Sequence, residues 1–219
     1  MTTPDAILPV VKTDSDVHTE RAPAATQACE FLRLSFSPLS VPVRTRWRNN
    51  GLSADFLGDY ATTFIPVDAD ESDDRHKEIR HAVSYIANEL LENAMKYHLR
   101  DCDVPIEVHM ELSAARIAVR VSNAIGRDQA ARYRAFADSL GSEDPGTLLM
   151  SRLEGGLDAD ESGLGLLTMM NDYNVSLDLQ FRPIGADGAV QTVTTSALFA
   201  LNDTALNDNT LNDNTGEIR

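Results

Sequence analysis

Three things are scarce in this chain, and each scarcity closes a class of function. Cysteine occurs twice in 219 residues, as Cys29 and Cys102. The pair forms no metal or redox motif, and the simplest expectation is a reduced, cytoplasmic protein. Long hydrophobic runs are missing: none approaches the roughly 18–20 apolar residues that span a bilayer, and the polar N-terminus has no signal-peptide core, so no membrane role is expected. Positive charge is also short. Nineteen Lys and Arg face 34 Asp and Glu, for a formal charge of −15. That balance excludes a general grip on nucleic acid, which needs a positive surface. It remains compatible with a basic pocket for one phosphate, because net charge reports the bulk surface and not a single cleft.

What is present suffices for one sizeable domain. Hydrophobic residues make up 42%, ordinary for a globular chain. Residues 1–28, rich in Thr, Asp, Pro and Ala without a sustained period, read as a flexible arm. The C-terminal LNDTALNDNTLNDNT repeats every five residues with Leu201, Leu206 and Leu211 in phase. Five matches neither helix nor strand, and Asn and Asp favour turns, so 202–219 reads as a disordered low-complexity tail. Residues 29–201 form the expected domain.

Inside it, Leu32, Leu34 and Phe36 give a strand period. Residues 44–64 read as helical on either side of Asn50-Gly51. An acidic loop, VDADESDDRHKE, leads into a main helix running to about His98, whose stripe Val83, Ile86, Leu90, Ala94, Tyr97 has core spacing. Alternation in IEVHMELS (106–113) and RIAVRVSN (116–123) predicts an antiparallel hairpin. A polar, mostly helical stretch follows over 127–153, broken at Asp144-Pro145-Gly146. GLGLLTMMNDY (163–173) is a glycine-rich helix start, and two closing strands follow at 175–181 and 190–201. Helices layered on one face of a largely antiparallel sheet satisfy this order, an α+β fold.

The chemistry concentrates in ELLENAMKY, residues 89–97. Glu89, Asn93 and Lys96 stand at i, i+4 and i+7, a strip about 10 Å long on one side of the main helix. A carboxylate can serve as general base. An amide oxygen suits Mg²⁺, which keeps several waters and takes further oxygens from phosphates. An ammonium is a point charge for phosphate. Downstream, SGLGLL (162–167) places Gly163 and Gly165 at a helix start, where backbone N–H groups can approach an anion. Either segment alone has a bland reading, a solvated helix face or a tight turn. Their order, with a hairpin and a long insert between them, is more informative.

In that order the two segments resemble the N-box and second glycine box of the GHKL (Bergerat-fold) ATPase superfamily, over about residues 76–200. The nearest likeness is to stand-alone anti-sigma-factor serine/threonine kinases, whose N-box also has Glu four residues before Asn. The resemblance implies a Bergerat-type two-layer α/β sandwich with a mixed, mostly antiparallel sheet. It implies ATP and Mg²⁺ as ligands: Asn93 on the metal, Glu89 orienting or deprotonating the attacking hydroxyl, Lys96 on phosphate. Gly163, Leu164 and Gly165 would cradle the phosphates, and 127–161 would be the ATP lid. In the place of the family's first glycine box stands SNAIGRD, where Asn123 replaces an adenine-binding Asp and Gly126 alone keeps a glycine. An amide oxygen still accepts from the adenine amino group but loses the charge-assisted bond.

The implied function is a Mg-ATP-dependent protein kinase phosphorylating a small regulatory protein, or sigma-factor-like partner, in a partner-switching pathway; such kinases often form homodimers. The alternative is a nucleotide-binding adaptor or anti-sigma-like regulator that acts by protein binding, its altered 122–126 segment having cost it catalysis. A histidine-kinase core has no support: HTERAP (18–23) resembles a phosphoacceptor motif, but Pro23 and the strand by Leu32 leave no room for two long helices. His76 and His81 lack partners at metal-ligand spacing and read as surface residues. Trp47 among Arg44, Arg46 and Arg48 reads equally as a binding patch or a half-buried ring beside solvated cations.

Overall fold

The computed structural model describes residues 30–38, 43–65, 72–154, 163–185 and 188–201, with side chains of 43–49, 72 and 73 left out. The N-terminal arm with His18, the C-terminal tail, the side chains around Trp47, residues 67–71 of the acidic loop and residues 155–161 of the expected lid lie outside the described set.

Strand β1 (Glu30–Phe36) leads to helix α1 (Val43–Thr63), α2 (Ser72–Tyr97), the hairpin β2 (Ile106–Leu112) and β3 (Arg116–Gly126), then α3 (Arg127–Ser142), α4 (Pro145–Glu154), α5 (Leu164–Asp172), β4 (Ser176–Ile184) and β5 (Val190–Ala200). The strands form one sheet in the order β1-β2-β3-β5-β4. Every neighbouring pair is antiparallel. The α+β, two-layer architecture expected from the sequence is present, and the described sheet contains no parallel pair.

Register explains which face is covered. Val121 pairs with Val108 and Thr195, and Val119 with Met110 and Ala197. Alternate residues of adjacent strands therefore line up on one side. That side carries Ile106, Val108, Met110, Ile117, Val119, Val121 and Leu177, all buried against α2 and α5 in the main core. The opposite side is polar: Ser122 and Thr194 hydroxyls meet at 2.8 Å, and Arg120 pairs with Glu111 at 2.8 Å. The expected stripe on α2 faces the core, with Val83, Ile86, Leu90 and Ala94 buried.

Helix α1 corrects the sequence reading. It runs unbroken through Asn50-Gly51, where separate helices were expected. A glycine inside a helix costs about 1 kcal/mol relative to alanine. Packing offsets that: Ala54, Leu57 and Ala61 recur on one face of α1 and are buried with α2 residues. At Gly58 the helices approach so closely that a β-carbon would lie 2.8 Å from the Arg80 carbonyl oxygen. Tertiary burial, which no local pattern reports, decides the continuity of α1.

Candidate functional site

The site lies where the C-terminal half of α2 meets the start of α5. Isoleucine and leucine on the far side of α2 anchor it to the sheet. The opposite column, Glu89 and Asn93, is thereby turned toward α5 and only half-buried. Gly163 precedes α5 with φ 59° and ψ 21°, a left-handed conformation that favours glycine. Among the described residues no side chain caps the helix there.

Glu89 and Gly165 are in intimate contact. A β-carbon at Gly165 would stand 1.8 Å from Glu89 Oε2 and 2.6 Å from its Cδ. No side chain fits without displacing the carboxylate, so this glycine of SGLGLL is demanded by the acid of ELLENAMKY. Burial raises the Glu89 carboxyl above its ordinary range, and the nearby Glu92 carboxylate raises it further. Beside it, burial foremost and then the Glu89 charge raise the Tyr85 phenol, while a hydrogen bond from Thr168 of α5 acts in the opposite sense.

One turn further along α2, Asn93 lines a cavity of about 330 Å³ together with Gly163 and residues of α3, α4 and α5. That size is at the lower end of small-molecule pockets. Arg152, near the end of α4, stacks its guanidinium 4.9 Å from the centroid of Phe136. Its Nη1 lies 3.5 Å from the position a β-carbon would take on Gly163. A cation, a helix start and an amide thus converge on one volume. That combination suits an anion such as a phosphate chain.

The fold is shared with a chain of the crystal structure of a SiaB–SiaC complex from Pseudomonas aeruginosa. The TM-score is 0.53 at 15% sequence identity, over 77% of this chain and 89% of that one. At that identity the likeness is one of fold. No protein-family model and no curated protein sequence matches the chain.

Glu89 and Gly165 meet beside the cavity and do not line it, and the remaining expected site residues are distributed differently. Leu164 is half-buried as the first residue of α5, beside Gly163. Lys96 is exposed, its Nζ 5.1 Å from the ring centroid of Tyr97, and it does not line the cavity. Asn123 is 4% exposed on the core side of β3, and its amide donates a long 3.4 Å bond to the Ala124 carbonyl. It too is absent from the cavity wall. Gly126 is extended at the β3–α3 junction, and a β-carbon there would meet only Leu99 Cδ1 at an ordinary 3.7 Å. Space does not require a glycine at 126. Helix α3 starts at once after it and lays Ala130, Tyr133 and Ala137 over Ile125, Leu179 and Val193 of the sheet.

The residues that sequence reasoning missed are on α3 and α4. Gln129, Arg132, Tyr133, Phe136 and Ser139 all line the cavity, with Arg152 opposite. Their spacing of i, i+3, i+4, i+7 and i+10 marks one helical face. That signal was available within the stretch read as a lid. Among the described residues no group of three or more His, Cys, Asp or Glu could hold a metal by itself. A resident Mg²⁺ would therefore take one or two protein oxygens and complete its shell with phosphate and water, which is its usual habit. The amide of Asn93 in an anion-suited cavity fits that pattern.

Proposed function

We propose that this domain binds Mg-ATP and transfers its γ-phosphoryl group to a serine or threonine hydroxyl of a small partner protein, as an anti-sigma-type regulatory kinase does. The observation that carries this reading is the contact between Glu89 and Gly165, which joins the two resembling segments into one site. The fold likeness to a chain crystallised within a SiaB–SiaC complex supports a protein partner.

In this reading the start of α5 and Arg152 would hold the phosphates, and the Asn93 amide would supply an oxygen to Mg²⁺. The ion, when bound, neutralises charge on the phosphates. Glu89 accepts the proton of the partner's hydroxyl as that oxygen bonds to the γ-phosphorus. The bond from that phosphorus to the bridging oxygen breaks, and ADP leaves with the electron pair. A carboxylate whose burial raises its proton affinity is a stronger base than an exposed one, in keeping with the role.

The test is transfer of labelled γ-phosphate to the partner. Glu89→Gln is expected to lower the rate by about a hundredfold or more while ATP binding persists. Undiminished transfer in that variant would remove Glu89 from the mechanism. A second reading, a regulator that acts by binding, is favoured by one observation: α3 packs apolar residues over the sheet end next to Asn123. Partner binding without any transfer by the unaltered protein would decide for it.

A further inference from the structure

The cavity has two chemically different ends. Along α3, Gln129 to Ser139 spans about 15 Å at 1.5 Å per residue. At the Ser139 end stand Phe136, Arg152 and Gly163, with the guanidinium stacked on the ring and close to the glycine. At the Gln129 end stand Tyr97 and Tyr133, their rings edge to face with centroids 5.5 Å apart. One end offers a cation and a helix start. The other offers aromatic surface and a carboxamide, with Arg132 one turn along α3 from Gln129.

We infer that the nucleobase is held at the Gln129 end, by α3 and Tyr97, and not at the end of β3. This rests on the nucleotide-binding reading above and specifies its base site. Aromatic walls provide faces and edges against which a heterocycle packs, whatever its identity. A glutamine carboxamide presents a donor and an acceptor side by side, matching the N6 amino group and N7 of adenine. Asn123 cannot supply that contact in this arrangement. It is buried in the sheet, and the cavity wall does not include it. The site therefore reads an adenine through its Hoogsteen edge, and α3 serves as the base-binding wall.

Two experiments on the full chain test this. Photolabelling with 8-azido-ATP and Mg²⁺ is expected to modify a peptide within residues 127–142 or at Tyr97. Label confined to residues 121–126 would overturn the assignment. In titrations, Gln129→Ala is expected to weaken Mg-ATP about tenfold while leaving Mg-tripolyphosphate affinity unchanged, since the variant touches only the base end. ATP affinity equal to that of the unaltered protein would overturn the role of Gln129. Failure of the unaltered chain to bind either Mg-ATP or Mg-tripolyphosphate would remove the nucleotide reading itself. Tripolyphosphate binding with no gain for ATP would remove only the base site.

Discussion

Replacing Gly165 by alanine puts a methyl group where the Glu89 carboxylate stands. Overpacking of this kind costs about 1–3 kcal/mol, and urea unfolding is expected to show a loss in that range. Shortening Glu89 to alanine should relieve the conflict, so the double variant is expected to be more stable than the sum of single effects. Simple additivity in that cycle would mean that the two residues do not meet. Glu89 carries a second expectation, in pH. An unfolded glutamate titrates near 4.3, and burial raises the folded value. Between those two values the folded state holds more protons than the unfolded one, so stability falls as pH rises through that window. Above that window the whole cost is present. Glu89→Gln is therefore expected to be more stable than the unaltered protein at pH 7, with a flatter profile upward from pH 4. A variant less stable at pH 7 would show that the carboxylate is supported there by favourable contacts. Stabilisation accompanied by lost transfer would be the behaviour of an acid kept for chemistry at the expense of the fold.

Two glycines of α1 show what an element conceals from its sequence. Gly51 is exposed, and a β-carbon there would meet nothing within 4 Å. Gly51→Ala is expected to stabilise by about 0.5–1 kcal/mol through helix propensity and a less flexible unfolded chain. Gly58→Ala should do the reverse, because its methyl would strike the Arg80 backbone. Opposite shifts in the urea midpoints check the pair, and equal shifts would refute the close approach of α1 to α2. Read locally, Asn50-Gly51 looks like a helix stop and Gly58 like one more weak position, whereas contact with α2 decides both. Strands were more legible. Alternation in β2 and β5, and over Val119–Asn123 of β3, survives into the sheet because one face is buried and the other more exposed. The column Glu89–Asn93 was legible for a similar reason, since helical spacing fixes which residues share a face. Arg152 and the Gln129–Ser139 face are not legible in a stretch whose polar, helical pattern reads as a lid. Which side of α3 turns inward is settled by Tyr133 and Ala137 packing on Leu179.

At the scale of the molecule, the cavity draws on α2, α3, α4 and α5 at once. A ligand held there ties α3, which packs on the sheet, to α4 and α5, which pack on each other. Among the described residues no helix is long and apolar enough to cross a membrane. Thermal unfolding reads ligand binding by the folded state. A ligand bound only by the folded state adds about 2.7 kcal/mol at a hundred times its Kd. For a domain of this size each kcal/mol raises the midpoint by about 2–4 °C. Saturating Mg-ATP is therefore expected to raise Tm by about 5–10 °C, and chelation of Mg²⁺ by EDTA to remove most of that rise. Asn93→Ala separates the metal from the nucleotide. With Mg²⁺ present, this variant is expected to gain no more from ATP than the unaltered protein gains in EDTA. A full rise in Asn93→Ala would take the metal away from Asn93 and leave nucleotide binding to Arg152 and the start of α5. No rise in the unaltered protein would show that the meeting of Glu89 with Gly165 serves packing alone.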